Sequence, residues 1–241
     1  MGRATRLAIE RLARRPRTRI TLVSGRRRAD VIARTRVRRV QYWGLFGWEQ
    51  HPRWSRPDRE RRALDHARER LGVLLGNLRG VHLEDKTWSF AVHLRHATRR
   101  ARQRARAALR GYLAHAGTEL HAIDGANTLN VLPTAIRGKG EAVGQALKRL
   151  RPTDLPIYIG DDATDEPAFA AVREGITVRV GQPGSTRAGY YLSDTEEVRR
   201  FLERLDEDLR ARHPTTFKRP RSQTRHTRPP GDRRPPRRSS A

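Results

Sequence analysis

Apolar runs and amphipathic stretches alternate through the first and last parts of the sequence. Runs of β-branched and aromatic residues at 19–23, 156–159 and 176–180 predict buried strands. Apolar residues at helical spacing predict helices around these strands, among them 5–15, 139–150 and 193–205. This order predicts an α/β fold in which helices cover a parallel sheet.

The middle of the sequence has a different pattern, which predicts a separate small α/β unit over 80–133. Two pairs of short strands are typical of hairpins, and a helix over 98–116 lies between the two pairs. The predicted strands are 81–86, 88–95, 118–124 and 128–132. We therefore expect four segments, which are a first core part (1–50), an inserted domain (51–133), a second core part (134–212) and a tail (213–241).

Composition excludes several classes of protein. The 241 residues contain no cysteine, so disulfides and thiolate chemistry are excluded. No apolar run approaches the roughly 20 residues of a membrane span, and no signal-peptide pattern opens the sequence. We therefore expect a soluble, cytoplasmic monomer with no membrane partner.

The formal charge of +26 is spread unevenly along the chain. The tail contributes +8 of it and holds few large apolar residues, so we expect a disordered basic arm whose chemistry suits polyanions. The predicted helix 98–116 also carries an outward row of arginines, but no aromatic residues that could stack on bases lie among them. This pattern favours a solvated surface over nucleic-acid binding.

Four carboxylates follow the predicted strand 156–159 within six residues. Asp165 and Glu166 have an alternative role, because acidic residues at a helix start cap the helix and complement its dipole. Asp161 and Asp162 precede the helix and are not explained in this way. Carboxylates about 4 Å apart repel by ~1 kcal/mol in water, and a hard divalent cation relieves this repulsion. The loop therefore predicts a metal site with Asp161, Asp162 and Asp165 as candidate ligands.

The run Gly160-Asp161-Asp162-Ala163-Thr164-Asp165-Glu166, with Phe169 after it, resembles the fourth motif of the haloacid dehalogenase superfamily, in the form found in trehalose-6-phosphate phosphatases. Ser24-Gly25-Arg26 is similar to the second motif, although an ordinary helix N-cap is the alternative for Ser24. Lys139 resembles the lysine of the third motif. The resemblance implies a doubly wound parallel-sheet core, a Mg²⁺ cofactor, and a phosphoryl group held by Ser24 and Lys139.

A second resemblance lies in the inserted domain. Leu83-Glu84-Asp85-Lys86, followed by a strand that ends in His93-x-Arg95, resembles the cap domain of trehalose-6-phosphate phosphatases. The alternative for these charged residues is an exposed hairpin end. The resemblance implies that Glu84 and Lys86 hold sugar hydroxyls, and it makes Arg26, His93 and Arg95 further substrate-binding candidates.

The sequence departs from the family pattern at three places. Leu45-Phe46 stands where the family usually has Gly-Ser/Asn-His-Gly, and Asn130 and Leu132 stand in place of the usual Glu-x-Arg-Pro. The Asp-x-Asp-Gly-Thr motif, which supplies the nucleophile and the general acid, is missing, since the sole Asp-x-Asp lies at 206–208 in the predicted last helix. The substrate contacts of these loops and the chemical step are therefore not assigned to residues of this sequence.

The resemblance implies a Mg²⁺-dependent phosphatase of trehalose biosynthesis, which hydrolyses trehalose 6-phosphate to trehalose and phosphate through an aspartyl-phosphate. Because the two aspartates are absent, we expect the chain as given to be inactive, to lack the first core strand, and to be poorly soluble or partly unfolded alone. We expect the true reading frame to begin upstream of Met1. Two alternatives remain open, another sugar-phosphate phosphatase of the superfamily and a catalytically dead trehalose-6-phosphate-binding protein.

Overall fold

The computed structural model describes residues 1–50, 58–115, 119–125, 127–182 and 184–212, so the predicted tail, 213–241, lies outside the described residues. The α-helices of the described residues are α1 Arg3–Leu12, α2 Arg28–Thr35, α3 Asp58–Leu75, α4 Arg99–His115, α5 Lys139–Leu147, α6 Glu166–Ala171 and α7 Thr195–Arg212. Two short 3₁₀ helices lie at Leu45–Gly47 and Ala163–Asp165.

Within the described residues the strands form three sheets. The first is a parallel pair of β1 Thr21–Val23 and β2 Gln41–Trp43. The second is antiparallel, in the order β3-β4-β6-β5, with bounds β3 His82–Asp85, β4 Phe90–His93, β5 Leu120–Asp124 and β6 Thr128–Pro133. The third is parallel, in chain order, with bounds β7 Ile157–Gly160, β8 Ile176–Val180 and β9 Tyr190–Leu192.

Strands β1 and β7 are less buried than the sequence predicts. Within the described part of the chain, each of them pairs with a neighbouring strand on one side only. All three residues of β1 and the first three of β7 are consequently half-buried. The prediction of buried strands is therefore wrong here, whereas it holds for most of the central strand β8.

The inserted domain, from here called the cap, has two layers. Both hairpins predicted from the sequence are present, in antiparallel register. Helices α3 and α4 cover one face of the sheet, and apolar residues of both layers form one buried cluster that includes Leu71, Phe90, Leu109 and Val131. Because side chains alternate along a strand, the opposite face of β3, β4 and β6 carries a different set, which includes the polar side chains of Glu84 and Asn130. That face is turned toward the core.

The two core parts meet through their outer helices. Ile9 of α1 belongs to the same apolar cluster as Val31 and Tyr42, and Leu202 of α7 packs against it. Beside this contact, the Arg15 guanidinium donates a 2.6 Å hydrogen bond to Asp206, which is 8% exposed. The acidic residues at 206–208 therefore lie in the last helix, as predicted, and Asp206 has a structural ion pair.

Three further details correct the sequence prediction. The described residues 181–182 and 184–189 form a loop as expected, but the parallel strand β9 follows them. Helix α7 is capped by Asp194, which accepts hydrogen bonds from the backbone N–H groups of Glu196 and Glu197, and not by Ser193. Helix α5 ends at Leu147 instead of residue 150.

No described helix is both long enough and apolar enough to cross a membrane.

Candidate active site

The acidic loop after β7 is organised around one buried carboxylate, that of Asp165. The Lys139 ammonium and the Tyr158 hydroxyl donate hydrogen bonds of 2.7 and 2.6 Å to its Oδ1. The backbone N–H groups of Asp161 and Asp162 donate to its Oδ2 at 3.1 and 3.0 Å. Both oxygens of Asp165 are therefore already engaged by the protein.

Electrostatics keep Asp165 ionised. Burial opposes its negative charge, but the charge and hydrogen bond of Lys139, with the Tyr158 hydroxyl and the backbone N–H of Asp162, outweigh burial and hold the pKa of Asp165 below its usual value. Burial and the neighbouring carboxylate together raise the pKa of Tyr158, so its hydroxyl stays protonated and donates.

Close packing of two helices brings Lys139 to this carboxylate. Gly140, in the first turn of α5, lies against Pro167 of α6 so closely that a β-carbon at Gly140 would be 2.7 Å from the Pro167 Cβ. A lysine at a helix start is unfavourable for the helix dipole alone. Here the ion pair with Asp165 offsets that cost. The sequence alone related Lys139 only to a bound phosphoryl group.

The other two acidic candidates differ from each other. The Asp162 carboxylate accepts a 2.7 Å hydrogen bond from the Ala163 backbone and forms a capping box with Asp165, so Asp162 does cap a helix start, contrary to the sequence prediction, which gave capping only to Asp165 and Glu166. The Asp161 side chain is exposed, and none of the hydrogen bonds or ion pairs among the described residues involves its carboxylate. Asp161 is therefore the carboxylate most available to an external cation.

These acidic residues meet the requirements of a Mg²⁺ site only in part. Among the described residues, no three His, Asp or Glu side chains converge on one point as a metal-binding group would. Mg²⁺, however, commonly uses only one or two carboxylates, together with phosphate oxygens and water. Asp161 at the end of a parallel strand meets that requirement, whereas the predicted three-carboxylate set does not form, because Asp165 is saturated by Lys139, Tyr158 and the backbone.

The loop after β1 holds Ser24 away from any helix start. Helix α2 begins at Arg28, and its N-cap is Arg27, so the N-cap alternative for Ser24 is wrong. The Ser24 hydroxyl accepts a 3.1 Å hydrogen bond from the Arg26 backbone, while the Ser24 backbone bonds to Trp43 and Phe46. The loop is therefore fixed by its backbone, and Arg26 is left exposed.

The polar face of the cap sheet carries a connected set of side chains. His93 Nε2 donates a 2.7 Å hydrogen bond to Glu84 Oε2, which lies 3.8 Å from Lys86 Nζ. Lys86 in turn donates to Asn130 Oδ1 at 3.3 Å. Burial opposes ionisation of Glu84, but the His93 hydrogen bond and the charges of Lys86, His93 and Arg26 lower its pKa below the usual value. Burial lowers the pKa of Lys86, and Arg26 acts in the same direction.

A cavity joins this face to the core loop that follows β1 and carries Arg26. It measures about 190 Å³ and is from here called the cleft. Its lining residues are Arg26, Arg27 and Asp30 from the core and Glu84, Asp85, Lys86 and Thr87 from the cap. The structure thus brings together Arg26, Glu84 and Lys86 as the sequence predicts, with His93 one contact further away.

Arg95 is not brought to the cleft. Strand β4 begins opposite Asp85, next to the turn that carries Lys86, and runs away from it. Arg95 follows the far end of β4, where its backbone carbonyl accepts a 3.0 Å hydrogen bond from Arg102. Its inclusion among the substrate-binding candidates rests on the sequence resemblance alone.

Sequence reasoning missed two contributors to this site. Asn130 is only 6% exposed and accepts a hydrogen bond from Lys86 across β4, and the signal was an amide within the mostly apolar strand β6. Tyr158 was assigned to strand burial, although its hydroxyl bonds the central carboxylate. Each of these two residues forms a hydrogen bond with a charged side chain, and the spacing of residues in the sequence does not identify that partner.

Comparison with known proteins identifies the relationship. Residues 1–194 match the trehalose-phosphatase family. The chain belongs to this family. A trehalose-phosphate phosphatase of Mycobacterium avium is 32% identical over 224 residues, covering 84% of this chain and 55% of that protein. A trehalose 6-phosphate phosphatase of Zea mays is 30% identical over 244 residues, covering 89% of this chain and 66% of that protein.

The chain therefore spans about half to two thirds of the length of these trehalose-phosphatase relatives. The fold is also similar to the C-terminal domain of a trehalose-6-phosphate phosphatase from C. albicans, with a TM-score of 0.71 at 18% identity, over 86% of this chain and 84% of that one. This likeness confirms the predicted α/β fold of the haloacid dehalogenase type.

Proposed function

We propose that this chain has the substrate site of a cytoplasmic Mg²⁺-dependent phosphoric monoester hydrolase of trehalose biosynthesis, which hydrolyses trehalose 6-phosphate, and that the chain as given binds this substrate without the two aspartates of the chemical step. One observation carries the proposal: Arg26, two residues after Ser24, faces Glu84 and Lys86 across the cleft. The loop that resembles the phosphoryl-binding second motif and the hairpin that resembles the sugar-binding segment lie on opposite walls of the cleft. This arrangement suits a sugar phosphate. The same proposal includes three further expectations from the sequence. The cap extends from 51 to 133, the tail is a basic segment, and the protein is a monomer.

The core would bind the phosphoryl end. Ser24 offers a hydroxyl and Lys139 an ammonium, and both are fixed by surrounding contacts before a ligand arrives. Asp161 would hold Mg²⁺, with Asp162 beside it, and the bound ion would neutralise charge on the phosphoryl oxygens. Asp165 would position Lys139 and the loop backbone instead of touching the ion.

The cap would bind the sugar end. Glu84 accepts and Lys86 donates hydrogen bonds, which is the pair of functions that a row of hydroxyl groups requires. His93 and Asn130 would act as positioning residues, because each holds one of these two charged groups in place. Arg26 would contribute from the opposite wall.

The chemical step is not assigned to residues of this chain. The sequence lacks an Asp-x-Asp-Gly-Thr motif, and Asp206 is paired with Arg15 in the last helix. We therefore expect the 241-residue chain to bind trehalose 6-phosphate without releasing phosphate, and this missing motif also favours a non-catalytic trehalose-6-phosphate-binding protein as the second candidate function.

Calorimetry with trehalose 6-phosphate and a phosphate-release assay on the same preparation test this proposal. Binding without release is the expected result. Absence of binding in the presence of Mg²⁺ would contradict the proposal, and measurable release would contradict only the statement about the chemical step.

The sugar contacts give a more specific prediction. Replacing Glu84 or Lys86 with alanine should weaken binding of trehalose 6-phosphate about 10- to 100-fold, since losing the partner of a buried polar group costs roughly 1–3 kcal/mol. Inorganic phosphate should bind almost unchanged. The matched control is Asp124→Ala, an acid that is paired with Arg106 on the helix-covered face of the cap. Equal losses for both ligands would instead assign Glu84 and Lys86 to the fold or to the phosphate site.

A further inference from the structure

A buried carboxylate, that of Glu49, lies beside the start of α2. Glu49 ends the loop after β2, residues 44–49, and is only 6% exposed. Its Oε2 accepts a 2.6 Å hydrogen bond from the backbone N–H of Arg28, the first residue of α2. Arg27, at the N-cap position, makes no side-chain capping bond, so Glu49 satisfies this end of the helix from a separate part of the chain.

The loops after β1 and β2 are fixed to each other. The backbone N–H of Phe46 donates a 2.8 Å hydrogen bond to the carbonyl of Ser24. Gly44 packs so closely on the start of α2 that a β-carbon there would be 2.2 Å from the Arg28 nitrogen. The loop after β2 therefore holds the loop after β1 in place, and it brings the charge of Glu49 next to that loop.

This charge attracts the Arg27 side chain. Glu49 Oε1 lies 3.8 Å from Arg27 Nη2, and the two side chains are 8% and 29% exposed. Salt in the solvent screens a partly buried pair of this kind less than it screens an exposed pair. Glu49 therefore restricts the orientation of a guanidinium that lines the cleft.

The Arg27 guanidinium keeps an unused donor. Its Nε atom is buried, and no described residue accepts a hydrogen bond from it. A buried N–H without a partner is unfavourable, and the 3.8 Å approach of Glu49 to the neighbouring Nη2 is too long for a hydrogen bond. A small rotation of the guanidinium would turn this donor toward a ligand oxygen in the cleft.

The surroundings of Arg27 suit hydroxyl groups. Among the described residues, the three that we propose for the phosphoryl end do not line the cleft, and these are Ser24, Lys139 and Asp161. The opposite wall carries Glu84 and Asp85, whose negative charges would repel a phosphoryl group placed there. A hydroxyl group can accept a hydrogen bond from Arg27 and donate one to a carboxylate.

We propose that Arg27 is a substrate-binding residue, which donates hydrogen bonds to hydroxyl groups at the sugar end of the sugar phosphate, and that Glu49 is its positioning residue. The inference rests on the proposed function, in which the cap binds the sugar end. It adds to the core wall a sugar contact that lies outside the Ser24-Gly25-Arg26 motif.

The test is calorimetry on the full chain, in Mg²⁺, with trehalose 6-phosphate and inorganic phosphate as separate ligands. Arg27→Met removes the guanidinium and should weaken binding of trehalose 6-phosphate about tenfold, while inorganic phosphate stays within about twofold. Arg34→Met removes an exposed arginine from the last turn of α2 and should change neither affinity. Should Arg27→Met fail to fold, Arg27→Lys should show the same selective loss, because lysine lacks the planar set of donors.

Three outcomes would contradict the inference. Unchanged affinity for trehalose 6-phosphate in Arg27→Met would overturn it, and an equal loss for both ligands would overturn the assignment of Arg27 to the sugar end. Both of these results leave the proposed function standing. Failure of the unmodified chain to bind either ligand would reject the proposed function together with the inference.

A double-mutant cycle tests the role of Glu49. Glu49→Gln keeps an acceptor for the Arg28 N–H but removes the charge, so it should weaken binding of trehalose 6-phosphate about threefold. In the Arg27→Met background the same change should have almost no further effect, because a positioning residue acts through its partner. An equal loss in both backgrounds would assign Glu49 to the fold alone. Should Glu49→Gln fail to fold, Glu49→Asp provides the same cycle, since the shorter side chain withdraws the charge from Arg27.

Discussion

Replacing Lys139 with methionine is expected to destabilise the folded protein by about 3–5 kcal/mol and to remove phosphate binding. The Lys139 and Asp165 side chains are only 11% and 3% exposed, and their charged atoms are 2.7 Å apart. Methionine preserves most of the side-chain volume, so the loss arises from a buried carboxylate without its counter-ion. Urea denaturation gives the free energy of unfolding, and calorimetry with inorganic phosphate gives the second readout.

An exposed ion pair supplies the control. Arg137 and Glu141 lie 3.6 Å apart with side chains 74% and 42% exposed, so Arg137→Met should change the free energy of unfolding by less than about 1 kcal/mol. Adding Asp165→Asn to Lys139→Met should restore part of the lost stability, because the uncompensated charge disappears. A loss in Lys139→Met no larger than that in Arg137→Met would contradict the central role of this pair.

The same pair predicts how stability depends on pH. The pKa of Asp165 is held below its usual value in the folded state, so the unfolded chain binds its proton at a higher pH than the folded chain does. The stabilisation is therefore fully present above the unfolded pKa of about 3.9 and is lost as the pH falls through the lower, folded value. Asp165→Asn should remove this part of the acid-induced loss.

The second large effect concerns Asp161. Replacing it with alanine should weaken Mg²⁺ binding by more than the roughly 10- to 100-fold typical of losing an outer-shell partner, because Asp161 is the proposed direct ligand. The backbone of the loop should remain in place, since Asp165 bonds the N–H groups and not the Asp161 side chain. Calorimetric titration with MgCl₂ measures the affinity.

Glu174 provides the matched control for the metal. It is an exposed carboxylate just before β8 begins, at the opposite end of that strand from the site, so Glu174→Ala should leave Mg²⁺ affinity unchanged. If Asp161→Ala bound Mg²⁺ as tightly as the unmodified chain, Asp161 could not be the ligand, and the acidic loop would serve only to cap the helix and fix Lys139.

Local patterns in the sequence were sufficient for the cap and for the acidic loop. Alternating apolar residues and turn residues define both hairpins, and four carboxylates after a strand mark the loop. The partners of Asp165 could not be read in this way, because Lys139 is 26 positions away and its approach depends on how α5 packs on α6. The buried cluster that contains Phe46 and Leu132 could not be predicted either, since these residues are distant in sequence and meet only in the fold.

The prediction that β1 and β7 are buried was wrong for the same reason, since burial also depends on contacts between distant parts of the sequence. The composition of 19–23 and 156–159 is that of an interior strand, but burial depends on neighbours on both sides, and β1 and β7 have one neighbour each within the described residues. The N-terminal capping residue of α7 was predicted one position too early. Ser193 and Asp194 are both good helix-capping residues, and only the backbone geometry selects Asp194.

The contact between α1 and α7 bears on the order in which the chain folds during synthesis. Arg15 and Asp206 are separated by 191 positions, yet their side chains bond directly. At about 5–20 residues per second, a ribosome needs roughly 10–40 s to add the intervening chain. Helix α1 is synthesised before α7, so its apolar residues, Ala8, Ile9 and Leu12, lack α7 as a packing partner throughout that interval. That interval is when a chaperone that recognises nascent apolar helices would have the longest access to this protein.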